Sequence, residues 1–408
     1  MTALTRDTGN RAPSPLEAGP GRGDQPMSQS VIATDRNPDL FVGEGGRPGW
    51  NQPDRRRRAF HHMHEVFRYS LGIRAPETLR LRKVIDRRIG DLEPVRRLTG
   101  TTQFSAMVVA RDGIVLFENY APDFGPRQPH SIQSITKTTM NLVFGLLVER
   151  ESMDLASPVS HYLPDIGSGY AAATVQDVLD MNVVNDFSED YRDPLASVFL
   201  QEVAMGWRLP GPDQPEPANR AFIRGIKSAD VTNRTGLVQY KSANTDVLGE
   251  IAERVSGRSL REMLIDIVEA AGLEDPFHIG TDREGTPIIN GGACLSARDL
   301  ARYALLFVRG GRGVSGQVVG SRAFIETTRQ RRGVPYAAPR GWQRYSNQTA
   351  TDGQCLGHGG YGGQYMLANP DTGVVVVFFS VLEDADAHDA AYSAEVIRMA
   401  EEITRLPA

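Results

Sequence analysis

Apolar stretches separated by turn signals predict two hairpins, one early and one late in the chain. Phe104–Ala110 and Ile114–Glu118 flank Arg111-Asp112-Gly113, and the Asp-Gly pair favours a tight hairpin turn. Gln364–Ala368 and Val374–Ser380 flank a shorter segment that contains Pro and Gly. We therefore expect strands at both ends of the folded part.

Between these hairpins the pattern changes to helical periodicity, in several places with Ser or Thr at a capping position. The helices predicted along the whole chain cover Glu77–Leu92, Thr174–Met181, Thr245–Ser256, Ser259–Ala271, Ser296–Val308 and about His388–Leu406. Strands at both ends with helices between them predict an α+β fold. We expect one antiparallel β-sheet with the terminal helices on one face and a mainly helical subdomain, roughly residues 135–300, inserted on the other.

Composition narrows the class of protein. The chain has 408 residues, 40% of them hydrophobic, and a net charge of −5, which gives no reason to expect nucleic acid or an acidic membrane surface as a partner. Residues 1–49 are rich in Pro, Gly, Asp and Arg, and we interpret them as a disordered leader before a catalytic domain over residues 50–408. Two cysteines form no disulfide framework, and we interpret them as buried thiols in a reducing compartment.

The sequence contains neither a secretion signal nor a membrane-length apolar stretch, so we expect a cytoplasmic protein. Arg55–Arg58 lies too far into the chain for an export signal, and we expect it to begin a surface segment. We expect a small-molecule substrate, with no nucleic acid and no membrane as partner. A homodimer is left open.

Several common catalytic signatures are missing from the sequence, namely the GxSxG elbow, the GxxxxGK[ST] phosphate loop and a strand–GxGxxG–helix unit. His61, His62 and His64 lack the HExxH order of a zinc site, so we expect neither a metal nor a cofactor. A run of charged residues is interpreted as a solvated loop: Asp186, Glu189, Asp190, Arg192 and Asp193.

Ser134-Ile135-Thr136-Lys137 is the strongest chemical signal, because it places a hydroxyl and an amine on one helix face at the start of the apolar run Met140–Val148. A lysine buried there tends to lose its charge, and a neutral amine can activate a serine nucleophile. The alternative is that Ser134 caps the helix while Lys137 points to water.

Two further segments strengthen this signal by their order in the chain. Tyr240-Lys241-Ser242-Ala243-Asn244 precedes a predicted helix, and a tyrosine on a polar turn can pass a proton to a leaving group. The alternative is a surface turn in which Asn244 caps the helix. His358–Gln364 is glycine-rich and precedes a predicted strand, where a backbone N–H can hold an oxyanion; the alternative is a plain connector.

Taken together, these segments resemble the serine β-lactamase superfamily, in its class C and esterase branch, and within it most closely the 6-aminohexanoate-dimer (nylon-oligomer) hydrolases. Neither Ser-Asp-Asn nor Lys-Thr-Gly, both class A elements, occurs. The matching text, from Trp50 to the C-terminus, comprises Gly49-Trp50, Arg58-Ala59-Phe60, Val178–Met181, Glu189–Pro194, Gly206-Trp207-Arg208, Gln239–Glu253, Val255-Ser256-Gly257, Asn290-Gly291-Gly292 and Ala297–Arg302.

The resemblance implies a β-lactamase/transpeptidase-like fold and assigns the catalytic roles. Ser134 would be the nucleophile, Lys137 its proton acceptor and Tyr240 the group that passes the proton to the leaving group. The backbone N–H groups of Ser134 and Tyr361 would form the oxyanion hole.

The resemblance also implies substrate-binding positions. Tyr191, on a mobile loop, would close over an amide substrate and contact its nitrogen, and Glu202, Asn290 and His358 would lie at the pocket. Lys241 departs from the family pattern by placing a cation beside the catalytic tyrosine.

The resulting hypothesis is a serine hydrolase that acts on linear amides or carboxylic esters through an acyl-Ser134 intermediate. Two alternatives remain: a transacylase that passes the acyl group to an amine in a biosynthetic pathway, and a binding module of the same fold without turnover. We expect broad esterase activity on short acyl chains and weaker activity on linear amides. Penicillin turnover should be slow or absent.

Overall fold

The computed structural model describes residues 49–213, 215–330 and 333–407. The predicted disordered leader lies, except for Gly49, outside these residues. The helices are α1 (Pro53–His61), α2 (Met63–Val66), α3 (Arg87–Asp91), α4 (Glu93–Thr99), α5 (Thr139–Glu149), α6 (Val159–Tyr162), α7 (Ser168–Ala171), α8 (Val175–Leu179), α9 (Val198–Ala204), α10 (Asn219–Arg224), α11 (Ser242–Ser256), α12 (Leu260–Ala271), α13 (Ala297–Val308), α14 (Arg322–Gln330) and α15 (Ala390–Thr404), and a 3₁₀ helix covers Gln133–Thr138.

The strands are β1 (Ser70–Ile73), β2 (Arg82–Lys83), β3 (Phe104–Arg111), β4 (Ile114–Tyr120), β5 (His130–Ser131), β6 (Phe277–Gly280), β7 (Ala293–Leu295), β8 (Val334–Pro335), β9 (Arg344–Ser346), β10 (Thr349–Thr351), β11 (Leu356–Gly360), β12 (Gln364–Asn369) and β13 (Val374–Ser380). None of the helices in the described ranges combines the length and apolar character that crossing a bilayer requires.

The larger sheet has the order β2-β4-β3-β13-β12-β11-β10-β9-β8, so the early hairpin pairs with the late one through β3 and β13. Its pairings are antiparallel except for β2 with β4. Every residue of β12 and β13 is buried, because α13 packs on β3, β12 and β13 and α15 packs on β12 and β13. Helices therefore cover both faces of an antiparallel sheet, and the predicted α+β fold is confirmed.

Both hairpins occur where the turn signals place them. Asp112 has a φ of 49° and Gly113 a φ of 78°, the two positive values that a two-residue hairpin turn of this kind needs. The strands extend the predicted ranges by one or two residues, to Arg111, Tyr120 and Asn369.

The helix predicted over Glu77–Leu92 is wrong. Arg82 N, Val84 N and Asp86 N donate to carbonyl oxygens of the first hairpin, so this segment joins the sheet edge as β2. A helix begins only after Asp86, whose side chain accepts from Arg88 N and caps the short α3. Apolar spacing that suited a helix is satisfied here by pairing with β4.

A second sheet of order β1-β6-β7-β5 leads into the Ser134 segment. Its last strand, β5, is followed by Ile132, whose N–H donates to Ala293 O on β7. The 3₁₀ helix then begins at Gln133 and continues into the apolar helix α5, which packs against α11. This packing brings the start of α5 close to the start of α11.

The arginine run Arg55–Arg58 lies in α1 and is not simply a surface segment. Arg56 is buried, and its Nη1 donates to Leu382 O at 2.6 Å and Asp384 O at 2.7 Å. Asn51 Nδ2 donates to the Tyr361 hydroxyl at 3.0 Å. Both cysteines, Cys294 and Cys355, are buried and unpaired, as predicted.

Candidate active site

A cavity of about 760 Å³ brings together most of the residues that the sequence singles out. Its walls come from the 3₁₀ helix, the loop before α9, the start of α11, the segment between β8 and β9, and the β11–β12 hairpin. The residues named from the sequence that line it are Ser134, Glu189, Asp190, Tyr191, Arg192, Tyr240, Ser242, Asn290, His358 and Tyr361.

Ser134 and Lys137 face each other within the 3₁₀ helix, where residues at i and i+3 eclipse. The Lys137 Nζ lies 2.8 Å from Ser134 Oγ, and the lysine side chain is 0% exposed. The alternative in which Lys137 points to water is therefore wrong. The pair occupies the first turn of a buried apolar helix rather than its solvated cap.

Lys137 is held by two more acceptors, Ser242 Oγ at 3.0 Å and the backbone oxygen of Asn290. Burial lowers the pKa of Lys137 to about 8, against the opposing effect of the negative charges of Glu189 and Asp246. A substantial fraction of the amine is thus neutral near pH 8.

Tyr240 stands beside this pair. Its ring centroid is 5.2 Å from Lys137 Nζ, and its buried hydroxyl makes no hydrogen bond in the part of the chain that is described. Burial raises the pKa of Tyr240 well above 10, and the charge of Glu189 adds to this, while the Ser134 side chain acts in the opposite direction. The phenol therefore keeps its proton at neutral pH.

Two backbone N–H groups border the serine. Among the described residues, no acceptor bonds to the N–H of Ser134 or to that of Tyr361. Gln133, just before the serine, has a φ of 47°, a sparsely populated conformation for a residue with a side chain. At Gly360 a Cβ would lie 2.6 Å from Ile132 O, so only glycine lets β11 approach the serine segment this closely.

His358 lies on strand β11 itself, which corrects both sequence interpretations of its segment: the run is neither a connector nor wholly in front of a strand. The Nδ1 of His358 is 2.6 Å from Gly359 O and its Nε2 is 3.1 Å from the Tyr345 hydroxyl. Burial lowers the pKa of His358 to about 3, with a smaller effect from Lys137. The imidazole is therefore neutral, with its proton on Nδ1.

Tyr191 lies at the cavity wall on the loop between residues 185 and 197. Its ring contacts those of Tyr361, at 4.7 Å between centroids, and Phe199, at 5.9 Å. Burial raises its pKa well above 10, and the charge of Glu202 adds to this. The hydroxyl is thus a proton donor at neutral pH.

Glu202 does not line the cavity, unlike Asn290. It is 1% exposed and accepts from Arg208 Nε at 3.0 Å. Burial raises the pKa of Glu202 to about 7 against the effect of Arg208. Asn290 Nδ2 donates to Asp246 Oδ2 at 2.7 Å, so this buried amide is tied to a carboxylate behind the cavity wall.

Lys241 and Asn244 have roles other than those expected. Lys241 does not line the cavity; its Nζ donates to Phe187 O at 2.5 Å and so holds the loop that carries Tyr191. Helix α11 begins at Ser242, three residues earlier than predicted, because Glu189 accepts from its N–H at 2.9 Å. Asn244 is no cap, since its side chain bonds Tyr170 and Val178 O.

Glu189 is accordingly no member of a plain solvated loop. The other four charged residues behave more as expected: Asp186, Asp190, Arg192 and Asp193 are exposed.

His61 is buried with its Nε2 2.9 Å from Ser105 Oγ. His62 and His64 lie beside Glu65, at 3.8 Å and 3.6 Å. In residues 49–213, 215–330 and 333–407, no group of three or more His, Cys, Asp or Glu side chains is arranged to hold a metal ion.

Sequence reasoning missed four residues of this neighbourhood: Ser242, Glu189, Asp246 and Arg340. Ser242 stands two positions after Tyr240, and Asp246 follows it by one helical turn, so their place on the inner face of α11 could have been anticipated. Glu189 and Arg340 carry no local signal, because they reach the cavity through long-range packing.

Comparisons with known proteins agree with this geometry. The beta-lactamase family model matches residues 99–397. The 6-aminohexanoate-dimer hydrolase of Paenarthrobacter ureafaciens is 32% identical over 370 residues, which cover 86% of this chain and 92% of that protein.

Solved structures share the fold. A Bacillus anthracis protein provisionally assigned as a 6-aminohexanoate-dimer hydrolase superposes with a TM-score of 0.74 at 20% identity, covering 88% of this chain and 97% of that one. EstCE1, a hydrolase with promiscuous acyltransferase activity, superposes with a TM-score of 0.54 at 14% identity, covering 77% and 97%.

Proposed function

The chain belongs to the beta-lactamase family and is a serine hydrolase, and from this premise we propose that it cleaves linear amides and carboxylic esters through an acyl intermediate on Ser134. The observation that carries the proposal is the buried Lys137 amine, 2.8 Å from Ser134 Oγ at the wall of the cavity. A nucleophile beside a base with a lowered pKa is the arrangement that acyl transfer needs.

The hydrogen bonds of Lys137 favour a neutral amine in the resting enzyme. An ammonium group has three donors, whereas a neutral amine has two donors and one lone pair. The backbone oxygen of Asn290 can only accept, and Ser242 Oγ is also an acceptor here. A neutral amine satisfies both and leaves its lone pair for the proton of Ser134.

Acylation then proceeds with every proton accounted for. Lys137 takes the Ser134 proton as Oγ bonds to the substrate carbonyl carbon, and the N–H groups of Ser134 and Tyr361 stabilise the oxyanion. Tyr240 gives its proton to the leaving nitrogen or oxygen as the bond to carbon breaks, and it recovers one from Lys137. Water attacks the acyl-Ser134 ester in the second half-reaction.

The binding roles follow from the cavity walls. Tyr191, protonated and next to Tyr361, contacts the leaving nitrogen of an amide. Asn290 and His358 line the cavity as neutral hydrogen-bonding groups. Glu202 acts from behind the wall, near Tyr191 and Tyr361.

The same acyl-enzyme can react with an amine instead of water. The relative EstCE1 is described as having promiscuous acyltransferase activity, and the open cavity leaves room for a second molecule. Transfer to an amine is therefore the second candidate, and hydrolysis remains the first because the hydrolase relative covers most of the chain.

Intact-mass measurement after mixing with p-nitrophenyl esters, with and without added amines, tests the proposal. We expect an adduct with the mass of the acyl group that maps to Ser134, release of p-nitrophenolate, and loss of turnover by about 10³-fold or more in Ser134→Ala. An unchanged fold in the variant is checked by circular dichroism. Turnover near wild type in Ser134→Ala would overturn the proposal.

A further inference from the structure

The cavity wall carries an arginine that the catalytic proposal does not use. Arg340 lies on the segment between β8 and β9, and it lines the cavity together with Tyr336, Ala337, Ala338 and Pro339. No carboxylate of the described residues lies within ion-pair distance of its guanidinium. The other arginine at the wall, Arg192, is by contrast paired with Asp190 at 2.9 Å.

The side chain of Arg340 is held in place by neutral groups. Its Nε and Nη2 donate to Gln343 Oε1 at 3.1 Å and 2.6 Å, and its Cζ lies 4.0 Å from the centroid of the Tyr336 ring. Its Nη1 makes no hydrogen bond with any residue of the described ranges. A fixed guanidinium with donors to spare and no neutralising partner is suited to bind an anion.

The position of Arg340 indicates which part of a substrate would carry that anion. Its charge acts on Tyr240 and His358, so it lies on the side of the cavity where those two residues stand. Under the proposed mechanism Tyr240 protonates the leaving group. A group beyond the leaving nitrogen or oxygen would therefore extend toward Arg340.

We propose that Arg340 is a specificity-determining residue that binds a carboxylate on the leaving-group part of the substrate, so that the preferred substrates are amides or esters whose released amine or alcohol carries a carboxylate. This inference rests on the proposed function. A monoanion fits better than a phosphate dianion, because the acidic residues Glu189, Asp190 and Asp386 line the same cavity. An amide whose released amine is an ω-amino acid belongs to this class.

A matched pair of esters tests the charge directly. 4-Acetoxybenzoate and its methyl ester release phenols that differ in the carboxylate, and p-nitrophenyl acetate reports activity without either group. In Arg340→Gln we expect kcat/KM for 4-acetoxybenzoate to fall roughly 10- to 100-fold, mainly through KM. The methyl ester and p-nitrophenyl acetate should stay near wild type, and Arg340→Lys should recover part of the loss.

Two controls separate this proposal from its neighbours. Arg344→Gln removes the same charge from an exposed position on β9 outside the cavity, and it should not distinguish the two esters. Mono-4-nitrophenyl glutarate places the carboxylate on the acyl part, and its hydrolysis should not depend on Arg340.

The outcomes are distinct. Equal losses on both acetoxy esters, no loss on either, or a loss confined to the glutarate would overturn the role of Arg340. Failure of the wild-type enzyme to hydrolyse p-nitrophenyl acetate in a Ser134-dependent way would instead overturn the proposed function.

Discussion

At the scale of single residues, the protonation state of Lys137 sets the pH range in which Ser134 can be activated. Burial lowers the pKa of Lys137 to about 8, whereas an exposed lysine would remain charged well above that pH. A base must be unprotonated to accept a proton. The rate of acylation should therefore rise as the pH rises through about 8 and level off above it.

Measuring kcat/KM for a p-nitrophenyl ester between pH 6 and about 10 checks this expectation. Lys137→Arg keeps the charge but does not lose its proton in a protein, so it should reduce kcat/KM by about 10² to 10⁴-fold and abolish the rise. Lys137→Ala should lose as much. If Lys137→Arg retained most of the activity, Lys137 would act only as a fixed charge.

Tyr191→Phe should reduce amide hydrolysis more than ester hydrolysis. An amide nitrogen needs help to leave, whereas p-nitrophenolate does not, and the loss of one hydrogen bond corresponds to about 3- to 10-fold in rate. Comparing kcat/KM for the 6-aminohexanoate linear dimer and for p-nitrophenyl acetate measures the difference. Equal changes on both substrates would leave Tyr191 as a packing residue beside Tyr361 and Phe199.

At the scale of elements, the cavity depends on how closely β11 approaches the serine segment. In Gly360→Ala the new Cβ would meet Ile132 O at 2.6 Å and must push β11 away from Ser134. A displacement of about 1 Å at a catalytic site can cost about 10²-fold in rate, and we expect a loss of this order in kcat/KM.

The matched control is Gly125→Ala, because a Cβ at Gly125 has no atom within 4 Å and should change nothing. Kinetics at a temperature where circular dichroism shows both variants folded separate the two effects. Full activity in Gly360→Ala would show that β11 can move without disturbing the serine.

Local signals predicted the elements that are defined locally. The Asp112-Gly113 turn and the Ser259 capping box specify their own hairpin and helix, and both occur where expected. Elements that depend on distant partners were mispredicted or missed. Residues 82–86 pair with the first hairpin, and α11 begins at Ser242 because Glu189, 53 residues earlier, accepts from its N–H.

The same distinction holds within the site. Ser134 and Lys137 are close in sequence and in space, so their spacing predicted their contact. Nothing near Arg340 in the sequence indicates that it lines the cavity, and the direction of Lys241 toward the loop rather than the cavity is decided by the carbonyl of Phe187.

At the scale of the whole molecule, the charges around the cavity bear on β-lactam turnover. In a penicillin the carboxylate sits on the carbon next to the lactam nitrogen, so it must be bound close to the serine. Strand β11 offers there only neutral His358 and glycines, and Lys241 is directed elsewhere. Arg340, on a separate segment, suits a carboxylate on a longer leaving group.

We therefore expect turnover of a chromogenic cephalosporin to be slow or absent next to that of short-chain p-nitrophenyl esters. Parallel assays with one enzyme preparation, with Ser134→Ala as the blank, measure the ratio. Cephalosporin turnover comparable to the best ester would replace the present function with that of a β-lactamase.

The contact of Arg56 with Leu382 O joins segments 326 residues apart, and Asn51 reaches the Tyr361 hydroxyl in the same region. Leu382 and residues 386–388 also line the cavity. On a ribosome, residue 382 leaves the exit tunnel long after Arg56, so α1 waits for its partner while almost the whole chain is being made. The cavity mouth is thus assembled last, and hydrolysis of an ester during synthesis in vitro would mark the moment at which a newly made molecule is finished.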